Sequence, residues 1–159
     1  MNRLGIYNFG EPGVLFATSY LTNILKYLSN IFPSVGFSGV MYSLLEDMEL
    51  CRINNERGVA LKDLIALSTM CGCGLDMVPL PGDITKAELR SIIFDIYAIS
   101  TRLNKPLGLR ILPIPETSRN QIAYTKMNSD ADFVSNTKIL KLASNLVSTF
   151  SDEFTYLKN

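Results

Sequence analysis

Histidine and tryptophan are absent from the 159 residues. Without histidine there is no Ser-His-Asp or Cys-His nucleophile, no H-E-x-x-H zinc site and no imidazole acid–base step. Any chemistry falls to carboxylates, Cys, Lys, Arg, Tyr or a partner subunit. Charge is scarce as well: 19% of residues are charged, against ~25% in ordinary globular chains. Fifteen basic residues cancel fifteen acidic ones, and no Lys/Arg cluster stands out, so nucleic acid is not an expected partner. Uninterrupted apolar runs are missing. The longest apolar window, Val14 to Phe32, is broken by Thr18, Ser19, Thr22, Asn23, Lys26, Ser29 and Asn30, which is too polar for a membrane span. Met1 to Gly5 lead into no hydrophobic stretch with a cleavage site, so no secretory signal is expected.

Cysteine is sparse too, with Cys51, Cys71 and Cys73 only. An odd number, two of them one glycine apart, argues against a secreted disulfide framework and for a reduced, cytoplasmic setting. Three thiols without histidine cannot close a zinc site of four cysteines, or of two cysteines and two histidines, so no metal is expected, and Cys-x-Cys is not the Cys-x-x-Cys redox spacing. The residues name no cofactor. The remainder is apolar: 47% hydrophobic residues and a mean hydropathy of +0.18. That surplus predicts an additional covered face, in a homo-oligomer or against a companion chain.

The length suits one domain spanning 1–159. The spacing predicts a helix from Val14, with Ala17, Leu21, Ile24, Leu25, Leu28 and Ile31 inward and Thr22 among its polar residues, ending at Pro33. A second helix is expected with Val40, Met41, Leu44, Leu45 and Met48 inward, followed by a loop at Asn54–Gly58. A third, short helix carries Leu61, Leu64, Ile65 and Ser68. Leu75 to Leu80 reads as a buried strand. Asp83 or Thr85 caps the next helix, Thr85-x-x-Glu88 having the capping-box spacing. Leu89, Ile92, Ile93, Ile96, Ile99 and Leu103 form its inner stripe, with Glu88 on the other side, and Asn104-Lys105-Pro106 closes it. Leu107 to Pro113 is a second buried strand. Strand, helix and strand in about 40 residues is the spacing of a parallel βαβ unit, so the fold class is α/β with a parallel βαβ core and flanking helices. A polar loop at 116–132 is expected to be flexible. A last helix is expected from Asn136, with Ile139, Leu142, Ala143, Leu146 and Phe150 inward, and a tail at 151–159.

Special residues concentrate in Cys71-Gly72-Cys73-Gly74-Leu75-Asp76-Met77-Val78-Pro79-Leu80-Pro81-Gly82-Asp83. Its end echoes Leu112-Pro113-Ile114-Pro115-Glu116-Thr117 at an offset of 34 residues, which also matches Asp76 to Arg110. Equivalent positions of neighbouring parallel strands point to one face, so Asp76 and Arg110 are expected side by side. The two Pro-x-Pro ends would stiffen the carboxyl rim, where open α/β sheets and barrels bind ligands. Asp76, Asp83, Arg110 and Glu116 are thus candidates to line a polar or anionic site, with the thiols of Cys71 and Cys73 nearby. Gly72 and Gly74 imply positive φ or a close approach by a ligand or strand. Against this, Asp76–Arg110 is equally readable as a structural ion pair, Asp83 as a helix cap and the cysteines as buried packing residues. Glu46-Asp47 reads either as a pair at a barrel mouth or as a solvated face. Gly36 and Gly39 flank Ser38 loosely like a phosphate loop but lack its Gly-Lys-Thr/Ser.

Gly36-Phe37-Ser38-Gly39-Val40-Met41, Leu44-Leu45-Glu46-Asp47, Leu64 to Ser68 running into the Cys71–Asp83 string, Arg102-Leu103-Asn104-Lys105-Pro106 and Arg110 to Pro115 together resemble the uncharacterised "PFL family" proteins. The resemblance covers roughly residues 13 to 147. It implies a fold similar to the α/β barrel of pyruvate formate-lyase, of which this chain would supply the C-terminal portion. It carries over no catalytic residues. The Arg-Val-x-Gly glycyl-radical signature is absent and Phe150 to Asn159 hold no glycine, so glycyl-radical chemistry is not expected. The resulting expectation is a subunit with a small polar or anionic ligand site at the strand ends: Cys71, Cys73, Asp76 and Asp83 for chemistry, Arg110, Glu46, Asp47, Gly72, Gly74 and Glu116 for binding. The alternative is a non-catalytic assembly module that completes a barrel with a partner chain or a copy of itself.

Overall fold

A computed structural model of the chain describes residues 6, 8–33, 35, 39–126 and 136–142. The turn Gly10-Glu11-Pro12-Gly13, with Gly13 left-handed at φ 100°, leads into α1 (Val14–Ile31), which stops short of Pro33. The helix is where its periodicity places it, but its buried face is rotated. Val14, Ala17, Thr18 and Thr22 are buried, whereas Ile24, Leu25, Leu28 and Ile31 are exposed, as are Phe16, Tyr20 and Tyr27. Two hydroxyls explain the rotation. Thr18 Oγ1 donates to Val14 O at 2.8 Å and lies 2.6 Å from Tyr42 Oη, and Thr22 Oγ1 donates to Met70 O at 2.9 Å. These threonines anchor the helix, and the apolar stripe beside them is left uncovered among the described residues.

The second helix, α2 (Met48–Glu56), begins later than its apolar pattern suggests. Asp47 is the reason, because its Oδ1 accepts from the amides of Glu49 and Leu50, both at 2.9 Å, and so fixes the start. Upstream, Val40 O accepts from Gly72 N, and Ser43 forms a parallel bridge with Asp76. Leu44 and Leu45 are fully buried as expected, but from a turn, while Met41 and Met48 are exposed. Asn54 to Glu56, expected in a loop, belong to the helix. The short α3 (Leu61–Leu67) buries Leu61, Leu64 and Leu67.

The parallel βαβ unit is present as β1 (Gly74–Pro81), α4 (Lys86–Leu103) and β2 (Gly108–Ile114). Thr85 caps α4 in a complete capping box with Glu88, and Asn104 ends it in the left-handed conformation at φ 48°. Ile92 and Ile96 are buried, but Ile93 and Leu103 are exposed. Glu88, expected outward, is buried against Arg119. The strands start in the expected register, Gly74 opposite Gly108 and Leu75 opposite Leu109. A bulge then intervenes before Val78 pairs with Ile111, and the offset falls from 34 to 33 residues. Met77, at φ 47°, takes up the extra residue. The two Pro-x-Pro ends are therefore out of step by one: Leu80, not Pro79, faces Pro113.

The last described segment also departs from its pattern, since no helix begins at Asn136. Lys138 instead bridges Tyr124 in antiparallel fashion, and Leu140 N donates to Pro79 O at 3.0 Å, laying the segment along β1. Asn54 favours this, because its Nδ2 donates to Thr137 Oγ1 at 2.8 Å and to Lys138 O at 2.7 Å, a carbonyl that a helix would keep for its own amide four residues on. Residues 127–132 of the polar loop, Ala143, Leu146, Phe150, the tail 151–159 and Gly36 with Ser38 lie outside the described residues. One core gathers β1, α2, α3, α4 and this segment through Leu50, Leu64, Val78, Leu80, Ile92 and Leu140. Among the described residues no helix is long and apolar enough to cross a membrane.

Candidate functional site

The candidate residues occupy three places along the β1–β2 pair. At its amino end, α3 unwinds through Thr69 and Met70, and Cys71 N donates back to Leu67 O at 2.8 Å. Gly74 is at φ 104°, and a Cβ there would run into the carbonyl oxygen of Gly108, so only glycine lets the two strands come together. The thiols of Cys71 and Cys73 are free. Cys71 Sγ accepts from Gly74 N at 3.2 Å, and Lys105 donates its ammonium to Cys71 O. The Cys73 thiol hydrogen bond lowers Cys71 to about 6, helped by the Gly74 and Cys73 amides and the Lys105 charge, against the opposing effect of burial. Cys73 is pushed up by donating that hydrogen bond, by burial and by the negative charges of Cys71 and Asp76.

In the middle, Asp76 is buried at 4% exposure and Arg110 holds it through two nitrogens, Nη2 lying 2.7 Å from Oδ2 and Nε bonding Oδ1. Arg110 Nη2 also lies 3.4 Å from both carboxylate oxygens of Glu46. Ser43 stands on the other side of Asp76, and its Oγ is buried with no hydrogen-bond partner among the described residues. Ser43, Asp76 and Arg110 thus form a polar row across three extended segments. Asp47 is occupied as the α2 cap.

At the carboxyl end, Asp83 is not the α4 cap. It accepts from Ser118 Oγ at 2.8 Å and from the Arg119 amide at 3.2 Å. Arg119 also binds Glu88, at 2.6 and 3.0 Å, which with the Thr85 contacts holds Glu88 down to about 2. Glu116 is exposed, at φ 61°. At about 3.3 Å per residue, β1 separates the thiols from Asp83 by its whole eight-residue length. The cysteines and Asp83 are therefore not brought together, whereas Asp76, Arg110 and Glu46 are. Sequence reasoning missed Ser43, Lys105 and Arg119. A lone Ser, Lys or Arg outside the regular elements carries no periodic signal, although Lys105 does match Cys71 at the same offset of 34. Among the described residues no three Cys, Asp or Glu side chains are grouped to hold a metal ion.

Residues 1–124 match the family model described as "Uncharacterised ACR (DUF711)". Curated relatives named UPF0210 protein include one from Pyrobaculum arsenaticum, 32% identical over 117 residues, covering 72% of this chain and 26% of the relative. Another, from Pyrobaculum aerophilum, is 33% identical over 120 residues with the same coverage. A third, from Oleidesulfovibrio alaskensis, is 32% identical over 115 residues, covering 70% of this chain and 25% of that protein. The chain spans about a quarter of the length of these relatives. No solved structure matches it. The chain belongs to the uncharacterised DUF711 family.

Proposed function

We propose that this chain contributes a small polar-ligand site to a larger formate-lyase-like α/β assembly, built on Ser43, Asp76, Arg110 and Glu46. The observation that carries this reading is the hydroxyl of Ser43, buried without a partner among the described residues, in the row that ends at the half-exposed Arg110. A buried hydroxyl without a partner costs about 1–3 kcal/mol, and a bound hydroxyl, amide or water is the ordinary way to recover that cost. Two carboxylates share one guanidinium here, so a neutral polar ligand fits better than the anion that Arg110 alone would suggest. The parallel β1–β2 pair with its crossover helix is the repeating unit of α/β barrels, and the chain's quarter share of its relatives' length leaves room for the remaining units. In this reading the protein is cytoplasmic.

The test is amide chemical-shift titration of the full chain with glycolamide as the neutral probe and inorganic phosphate as the anionic one. Saturable shifts at Ser43, Asp76 and Arg110 with glycolamide, weakened at least tenfold by Ser43→Ala, are expected. No saturable shift with either probe overturns the reading.

The exposed apolar side of α1, with Phe16, Tyr20 and Tyr27, and Phe32 just beyond its end, supports a second reading, a non-catalytic module that docks on a copy of itself or a companion chain. The native mass of the purified protein tests it. A dimer or a co-purifying chain is expected, and a stable monomer removes the reading.

A further inference from the structure

The turn before β1 holds two thiols that the polar row does not use. Cys71 is 1% exposed, whereas Cys73 is only partly buried. Both sulfurs converge on one backbone atom, Cys71 Sγ lying 3.6 Å and Cys73 Sγ 3.7 Å from Gly74 O. The backbone carrying them is fixed on every side. Leu67 O accepts from Cys71 N at 2.8 Å, Val40 O from Gly72 N at 2.9 Å and Cys73 O from Gly108 N at 2.6 Å, while Lys105 holds Cys71 O. Cys51 is elsewhere, its thiol donating to Asn136 O at 3.2 Å. We propose that Cys71 and Cys73 are a redox-active dithiol that reduces low-molecular-weight disulfides of the glutathione type and closes to an intramolecular disulfide across Gly72.

The exchange balances in two steps. Cys73, the sulfur in reach of solvent, attacks one sulfur of the external disulfide as thiolate. A Cys73–glutathione mixed disulfide forms, the external S–S bond breaks, and one glutathione thiolate leaves and takes up a proton. Cys71 then attacks Cys73 Sγ as thiolate, forms the Cys71–Cys73 bond and expels the second glutathione thiolate, which is protonated in turn. The dithiol loses two electrons and two protons, and the external disulfide gains both. The two thiols share a proton through their mutual hydrogen bond, and the Gly74 and Cys73 amides with Lys105 favour the anion. The resting charge sits on Cys71, and Cys73 is held up, so the first step draws on the minor form in which the shared proton has moved to Cys71, while in the second the Gly74 and Cys73 amides and Lys105 still favour the Cys71 thiolate.

The experiment incubates the full-length protein in graded mixtures of reduced and oxidised glutathione, traps free thiols by alkylation and maps the products by mass spectrometry. A Cys71–Cys73 disulfide that appears and disappears reversibly with the glutathione ratio is expected, unchanged by Cys51→Ser. Cys71→Ser, which removes the resolving thiol, should turn the Cys73–glutathione mixed disulfide from a trace into the major product. Both thiols remaining reduced in excess oxidised glutathione, while the same chain in denaturant forms the bond, overturns the proposal. So does attachment of glutathione to Cys73 in the unsubstituted protein without closure. Neither result depends on Ser43 or Arg110, so the polar-ligand reading stands or falls separately.

Discussion

Arg110 reaches from β2 to both carboxylate oxygens of Asp76 at the step where the register between the strands slips. The two partners are unequally placed, because the Asp76 side chain is 5% exposed and that of Arg110 is 53% exposed. Removing either one is therefore not equivalent. Arg110→Ala leaves a carboxylate buried beside Glu46 without its counter-charge, and the expected loss is about 3–5 kcal/mol. Asp76→Ala leaves a guanidinium that water and Glu46 can satisfy, so the expected loss is smaller, about 1–2 kcal/mol. Urea unfolding of both variants checks the order. Equal losses would mean that Asp76 is not the desolvated partner.

The glycines grade in the same way. At Gly74 a Cβ meets the carbonyl of Gly108 and the backbone is also left-handed, at φ 104°. At Gly82 a Cβ meets the carbonyl of Ile114, without the positive φ. At Gly58 φ is 82° but the space around a Cβ is open. Gly58→Ala should cost about 1 kcal/mol from backbone strain alone. Gly82→Ala must push the neighbouring backbone away, and Gly74→Ala must do so on top of the backbone strain, so each should cost more than Gly58→Ala, Gly74→Ala most. Thermal melts of the three variants give the ranking, and a mild Gly74→Ala would contradict the close approach of β1 and β2.

How much of this was legible in the sequence depended on whether the determinant is local. Thr85 and Glu88 cap α4 by contacts three residues apart, and Asn104 ends it by its own backbone, so both could be read directly. Asp76 beside Arg110 followed from the 34-residue offset between two strands expected to lie parallel. The slip at Met77 did not, because a bulge is set by packing around both strands. Val40 to Leu45 have an apolar spacing that suits a helix as well as a buried turn, and Asp47 decided between them by capping further on. Ile139 and Leu142 look helical until the buried Asn54, over 80 residues earlier, takes the neighbouring backbone for itself. Of the candidate site, the charged pair could be foreseen, but the hydroxyl of Ser43, without a partner among the described residues, could not, since only the folded arrangement shows which polar groups lack partners.

The Glu88–Arg119 pair makes an acid-range prediction. Hydrogen bonds from Arg119 and Thr85 hold Glu88 at about 2, below its ordinary value of 4.5. A depressed carboxylate stabilises the fold fully above its unfolded value and loses that contribution as pH falls through its folded value. The window is thus from about pH 4.5 down to about 2, and the contribution is up to about 3 kcal/mol. Asp83, held down by Ser118 and Arg119, titrates in the same direction. The difference in stability between the unsubstituted protein and Glu88→Gln, followed from pH 5 to 2, isolates Glu88. It should shrink steadily across that range, and a difference independent of pH would remove Glu88 as the source.

Asn54 and Asn55 hold the 136–140 segment against β1, but from different depths. Asn54 is 1% exposed and uses its whole carboxamide: Nδ2 donates to Thr137 Oγ1 and Lys138 O, and Oδ1 accepts from Val59 N at 2.9 Å. Asn55 is half-buried, and its Oδ1 accepts from Lys138 N at 2.8 Å. Truncating Asn54 strands buried donors and acceptors on two elements, an expected loss of about 3 kcal/mol, whereas water can replace Asn55 at about 1 kcal/mol. The amide of Leu140, which donates to Pro79 O, reports the local consequence. Its hydrogen exchange should accelerate strongly in Asn54→Ala and little in Asn55→Ala. Unchanged protection of Leu140 in Asn54→Ala would mean that the segment is held by the packing of Leu140 and Leu142 alone.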